Sequence, residues 1–223
     1  MSPDLIVMLT YNDKTVENAE FLFESLKEIP VRYWGFKDVG LSFKAAKKLV
    51  GKLKDAGKTI KLEVVSLTEE EGLKAAKRAV EFGIDVLMGT VYYDSINDYL
   101  KDKPVKYVPF VGSISGHPSI LDGDIDEIVN HVQELESKGV DGIDLLTYRY
   151  TGDAVTLLSE VVKGTNLRVI SAGSIDSFER MTEVCNAGAW AFTIGSAFFD
   201  KKFVPGGSFE SNVLEVLDWE HNV

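Results

Sequence analysis

Some side chains in this 223-residue sequence sit where apolar runs end and can move protons or hold anions. Lys37 closes the run Gly35-Phe36-Lys37-Asp38. A lysine at the C-terminal end of a strand can polarise a carbonyl, shuttle a proton, or form a Schiff base once its pKa is lowered. A solvated surface lysine is the plain alternative. Lys61 and Glu63 alternate with Ile60, Leu62 and Val64. Strand periodicity sends that apolar set to one face and Lys61, Glu63 and Val65 to the other. An ammonium and a carboxylate in an interior are costly unless paired. They therefore make either a structural pair or an acid and a base with perturbed pKa values. Arg149 ends another strand, flanked by Tyr148 and Tyr150 with Asp144 earlier in the run. Its guanidinium grips a carboxylate or sugar oxyanion, or else forms a salt bridge. His117, in Ser113-Ile114-Ser115-Gly116-His117-Pro118, is a proton shuttle or an ordinary polar loop residue.

A second group is built to approach an anion. Ser171-Ala172-Gly173-Ser174-Ile175 and Ile194-Gly195-Ser196-Ala197-Phe198 each end an apolar strand. Gly173 and Gly195 let a ligand come close to the backbone and tolerate positive φ. The N–H groups of Ala172, Gly173, Ser174, Gly195 and Ser196 can then face phosphate oxygens, with Ser174 and Ser196 adding hydroxyl donors. Two glycine turns with no phosphate bound are the plain alternative.

The remaining chemistry is sparse. His117, His131 and His221 show no ligand spacing and Cys185 has no partner, so no metal site is expected. No Gly-x-Gly-x-x-Gly fingerprint occurs, and no cofactor is expected. Flavin stays open, since flavin barrels bind their phosphate at this kind of strand-seven and strand-eight turn.

The elements that must position these groups alternate along the whole chain. Strands are expected over residues 5–10, 31–36, 59–66, 85–92, 106–113, 142–148, 168–172 and 191–196. Helices are expected over 17–28, 43–55, 69–82, 95–101, 126–138, 153–163 and 177–186, with an eighth over 212–219. Short strands separated by helices pair in parallel through right-handed crossovers. Eight such units without a linker close into a single (β/α)8 barrel spanning residues 1–223, and a doubly wound open sheet is the alternative. Gly57, Gly83, Gly139, Gly164 and Gly188 stand where left-handed helix ends are expected. Ser177 is an N-cap, and Thr68 with Glu71 spells a capping box. The stretch from Val64 to Thr90 echoes that from Val169 to Ser196, an offset of half a barrel.

Composition narrows the partners. The net charge of −11 repels nucleic-acid backbones and anionic lipid. No run approaches 18 apolar residues, which excludes a membrane-spanning helix. The start Met1-Ser2-Pro3-Asp4 lacks a signal peptide's basic region, and the lone cysteine fits a reducing compartment, so a cytoplasmic location is expected. Trp190 and Phe198 mark a homodimer interface if exposed, or pack under a helix if not.

Ala172-Gly173-Ser174-Ile175, Asn186-Ala187-Gly188-Ala189 and Ile194-Gly195-Ser196-Ala197 together resemble the ribulose-phosphate-binding barrels over residues 165–200. That superfamily includes the histidine-biosynthesis barrels, N-acetylmannosamine-6-phosphate epimerase and 3-keto-gulonate-6-phosphate decarboxylase. The resemblance implies a small phosphorylated ligand held by the turns after strands seven and eight. Lys37 is similar in place to the epimerase lysine, although Ser171-Ala172-Gly173 stands where that family has a glutamate. The decarboxylase Asp-x-Lys pair is replaced by Lys61-x-Glu63, and Leu9-Thr10 and Gly112-Ser113 replace the aspartates of the histidine-biosynthesis barrels. The implied activity is isomerisation or epimerisation of a sugar phosphate beside a carbonyl. Decarboxylation, Schiff-base aldol cleavage and non-catalytic sensing of a phosphorylated metabolite are the alternatives.

Overall fold

A computed structural model describes residues 2–222. Met1, Val223 and the His221 side chain, all part of the sequence reading, lie outside the described residues.

Eight parallel strands close into a barrel: β1 (Asp4–Met8), β2 (Tyr33–Lys37), β3 (Thr59–Val64), β4 (Val86–Val91), β5 (Lys106–Phe110), β6 (Gly142–Leu145), β7 (Arg168–Ser171) and β8 (Ala191–Ile194). Closure is made by β1, which pairs with β8 from Asp4↔Ala191 to Val7↔Ile194 and with β2 from Ile6↔Tyr33 to Met8↔Gly35. The chain is therefore a (β/α)8 barrel; the open-sheet alternative lacks that closing pair. Between the strands lie α1 (Ala19–Leu26), α2 (Phe43–Asp55), α3 (Glu69–Phe82), α4 (Asp94–Leu100), α5 (Ile125–Ser137), α6 (Ala154–Lys163) and α7 (Phe178–Ala187). The short α8 (Ser196–Phe199) and the terminal α9 (Phe209–Asn222) follow β8.

Alternation splits the core in two. Trp34, Phe36, Ile60, Leu62, Val64, Val169 and Phe192 face the helix layer, where α2 inserts Ala46, Leu49, Val50 and Leu53 at helical spacing. The barrel interior holds Ile6, Met8, Tyr33, Val86, Met88, Val108, Ile170 and Ala191. Lys61, Glu63 and Asp144 share the interior side of their strands and are buried. Gly35 leaves the space that Met8 Sδ fills, 2.3 Å from where a Cβ would stand.

Local expectations met different fates. Gly57, Gly83, Gly139 and Gly188 are left-handed, with φ between 68° and 79°. Gly164 is not: its φ is −80°, and a Cβ there would lie 2.8 Å from Val129 on α5, so close helix packing is what glycine provides. Ser177 caps α7 by accepting the Arg180 N–H. The capping box at Thr68 does not form, because its hydroxyl meets Ser66 while Glu71 is paired to Lys74. Phe198 is buried against Phe203 and Phe209 and marks no interface. No helix among the described residues is long and apolar enough to cross a membrane.

Candidate active site

The first strand stops at Met8, two residues earlier than its apolar pattern suggests, and the chain turns into a small hairpin pairing Thr10–Tyr11 with Lys14–Thr15. Its two central residues, Asn12 (φ 46°) and Asp13 (φ 65°), are both left-handed, as a type I′ turn requires. Asn and Asp tolerate that region better than other side chains. The Thr15 hydroxyl fastens the hairpin to the end of β2: it donates to the Lys37 carbonyl and accepts the Lys37 N–H, both at 2.8 Å. From the other side, Ser196 Oγ accepts the Asn12 N–H at 3.2 Å. Asp13 is thereby delivered into the barrel mouth.

There it meets Lys37. The parallel register of β2 and β3 sets Lys37 directly opposite Glu63. Lys37 Nζ donates to Asp13 Oδ1 at 2.6 Å and to Glu63 Oε1 at 2.8 Å, with all three side chains buried. Arg149 reaches the same Asp13 oxygen at 3.3 Å through Nη1 and Nη2. His117 Nδ1 lies 3.3 Å from Asp13 Oδ2, and its side chain is 46% exposed. Burial favours a neutral Asp13, but the Lys37 ammonium, joined by Arg149 and His117, outweighs it and holds the carboxyl below its usual range. Burial likewise opposes the charge on Lys37, yet Glu63 and Asp13 outweigh it and raise its pKa, so it stays an ammonium. One layer deeper, Asp144 is fully buried with neither carboxylate oxygen hydrogen-bonded among the described residues. Burial first, and then the Glu63 charge, push its pKa well above the usual aspartate value.

The glycine turns form the other wall of the same cavity. It has a volume of about 260 Å³ and is lined by Thr10, Asp13, Lys37, Glu63, Arg149, Gly173, Ser174, Gly195, Ser196 and Lys202, among others. Gly173 (φ 80°) and Ser174 (φ 59°) are consecutive left-handed residues, and their N–H groups bond to no protein group among the described residues. A nest of N–H groups with no protein partner, lining a cavity, suits an anion. Gly195 is different from expectation: its φ is −129°, and it is glycine because a Cβ would lie 2.5 Å from Thr10 Oγ1. Ala172 is buried and gives its N–H to the Leu145 carbonyl, so its amide is not available to a ligand.

Two placements depart from the sequence reading. Arg149 lies not on β6, which stops at Leu145, but on a single 3₁₀ turn, Thr147–Arg149. Its stem crosses Gly173, whose missing side chain makes that passage possible. Lys61 does not join the group: Glu63 pairs with Lys37 instead, and Lys61 points to the opposite end of the barrel between Tyr33 and Trp190. Lys37, His117 and Arg149 do converge on Asp13, an aspartate near the end of β1 that was not among the expected site residues, and Glu63 joins them through Lys37. The signal for Asp13 was the Asn12-Asp13 pair between residues of good strand propensity. Lys202, which follows α8, gave no such signal.

A barrel with its polar cluster at the C-terminal strand ends belongs to a widely shared architecture, in which such clusters hold the active site. No protein-family model matches the sequence, and a comparison with curated proteins finds no match. Solved structures do share the fold. Orotidine 5'-phosphate decarboxylase from Pyrococcus horikoshii OT3 is 13% identical, with a TM-score of 0.71 over 98% of this chain and 100% of that one. N-acetylmannosamine-6-phosphate 2-epimerase from Clostridium perfringens is 13% identical, with a TM-score of 0.65 over 90% of this chain and 91% of its own. The glycerol uptake operon antiterminator regulatory protein from Listeria monocytogenes str. 4b F2365 is 18% identical, with a TM-score of 0.62 over 88% and 93%. At these identities the likeness establishes the barrel fold.

Proposed function

We propose that this chain is an enzyme of the ribulose-phosphate-binding type, which isomerises or epimerises a small sugar phosphate by moving a proton beside a carbonyl. The observation that carries the reading is Lys37, held as a buried ammonium between Asp13 and Glu63 in a cavity whose other wall is the Gly173–Ser174 nest. The phosphate group binds at Gly173, Ser174, Gly195 and Ser196, with Lys202 as counter-charge. The carbonyl then faces Lys37, whose ammonium stabilises the oxyanion that develops when a neighbouring carbon loses its proton. Glu63 takes that proton and returns it to the adjacent carbon in isomerisation, while epimerisation takes its returning proton from a second acid on the opposite face of the substrate. Arg149 and His117 hold the substrate's remaining oxygens at the rim. Proton transfer of this kind draws on no cofactor.

Two of the fold neighbours carry phosphorylated compounds in their names, which fits this reading. Schiff-base chemistry fits less well. A Schiff base needs a neutral amine, whereas the Lys37 pKa is raised.

The test is hydrogen exchange in D2O, followed by NMR, across ketose and aldose phosphates and their unphosphorylated counterparts. We expect solvent deuterium beside the carbonyl of a phosphorylated substrate only. Glu63→Gln should lower the exchange rate roughly 10²–10⁴-fold, and Ser196→Asp should remove binding by placing a carboxylate in the anion pocket. Carbon dioxide release without exchange would move the assignment to decarboxylation. Tight phosphate-dependent binding with no turnover would move it to a sensor, and no response to any phosphorylated compound would remove the reading.

A further inference from the structure

The barrel has a second cavity, at the N-terminal ends of its strands. It has a volume of about 760 Å³ and is walled by the starts of β2 to β7, the α4–β5 loop and Trp190. That size suits a small organic ligand. Its charge is opposite to that of the molecule: Arg32, Lys61, Lys101, Lys103, Lys106 and Arg168 line it, in a chain whose net charge is −11. Asp85, Asp98 and Asp141 also line it, fewer than the cations, so the lining keeps an excess of positive charge. Asp85 Oδ2 accepts the Ile60 N–H at 2.7 Å and Asp141 Oδ2 accepts the Tyr107 N–H at 2.8 Å, each tying neighbouring strands together.

Lys61 is the centre of the arrangement. It is 1% exposed and lines the cavity, and it makes no hydrogen bond or ion pair among the described residues. Its ammonium rests 5.2 Å from the Tyr33 ring and 5.0 Å from the Trp190 ring, which meet edge to face. Arg32 lies over Tyr33 and Arg168 over Trp190, at 5.1 Å and 4.9 Å. The aromatic faces hold three cations in place and offset part of their mutual repulsion, without neutralising any of them. Burial pushes the Lys61 pKa down to about 8, against the pull of Asp144 and Asp85, while Lys106 and Arg168 push it further. A buried cation with aromatic supports and no carboxylate within hydrogen-bond reach has room for an anionic partner beside it.

We propose that this cavity binds a small polyanion bearing phosphate or carboxylate groups, gripped by Lys61, Arg32, Lys106 and Arg168. The site is separate from the mouth where the reaction is placed, so it does not depend on the reaction assigned there. The recessed, aromatic-floored shape favours a compact ligand over an extended nucleic-acid backbone.

The experiment is calorimetric titration with inorganic tripolyphosphate and, separately, citrate, with tryptophan emission recorded in parallel. It uses the wild-type chain and the variants Arg168→Ala, Lys106→Ala, Trp190→Phe and Ser196→Asp. One ion should bind per chain at this site, perturb an emission signal that Trp190→Phe removes, and bind roughly tenfold more weakly to Arg168→Ala and Lys106→Ala. Preference for tripolyphosphate or citrate identifies the anion chemistry. Binding abolished by Ser196→Asp but unaltered in Arg168→Ala and Lys106→Ala would place the anion at the mouth and overturn the proposal. So would the absence of binding by either anion, or displacement by a short RNA at lower concentration than either.

Discussion

Lys37 and Lys61 come from adjacent strands of one barrel, and their surroundings give them opposite proton affinities. Lys37 has two carboxylates within hydrogen-bond reach, so removing it leaves Asp13 and Glu63 buried and unpaired. Lys37→Met should lower stability by about 3–5 kcal/mol at neutral pH, measured by urea unfolding. The pH dependence follows from the shifts. The Asp13 pKa is lowered on folding, so its contribution is present above the usual aspartate range and is lost as pH falls through the folded value. The Lys37 pKa is raised, so its contribution is present below 10.5 and is lost as pH rises through the folded value. The deficit of the variant should therefore be flat in between and shrink in acid. Lys61 has the reverse sign. Its pKa falls from 10.5 to about 8, so the folded state is penalised below pH 8 and relieved as pH rises from there toward 10.5. Lys61→Met should then stabilise the chain at pH 7 by about 1–3 kcal/mol once the lost contacts with Tyr33 and Trp190 are discounted. The gain should vanish above pH 10.5. A stabilised variant that no longer binds tripolyphosphate would show why the charge is worth its position.

At the scale of elements, β4 carries the clearest irregularity. Its register against β5 shifts between Met88 and Val91, and Gly89 (φ 74°) and Thr90 (φ 50°) are both left-handed. A Cβ at Gly89 would lie 2.6 Å from the Val64 carbonyl oxygen. Gly89→Ala should cost about 1–3 kcal/mol in chemical denaturation, and it should also disturb Glu63, whose Cγ is 3.0 Å from the same point. The barrel strands and most helices were legible in the sequence because long periodic segments reveal which face is buried; α2 and α3 have the limits their apolar spacing suggests. The inward direction of Lys61 and Glu63 was legible for the same reason. Their partners were not, since alternation names a face of a strand and says nothing of which end of the barrel a long side chain reaches. The Asp13 hairpin escaped because two-residue strands are too short to show a period, leaving turn chemistry as the only sign.

At the scale of the molecule, closure depends on the last helix. Phe209 at the start of α9 packs on Phe198 and Phe199, Trp219 meets Phe192 on β8, and Glu220 Oε1 accepts the Leu5 N–H of β1. Removing residues 209–223 should expose the β1–β8 seam and replace one cooperative thermal transition with a broad, aggregation-prone one, followed by circular dichroism and light scattering.

The hairpin at residues 10–15 lies outside the eight-stranded barrel yet supplies the carboxylate on which Lys37 and Arg149 meet. It is held by Thr15 below and Ser196 above, so its tip can be exchanged while those anchors and the scaffold stay as they are. For an engineer it is a cassette: a short library across Asn12 and Asp13 would sample new acid–base arrangements against a lysine and a pair of glycine turns that are already in place.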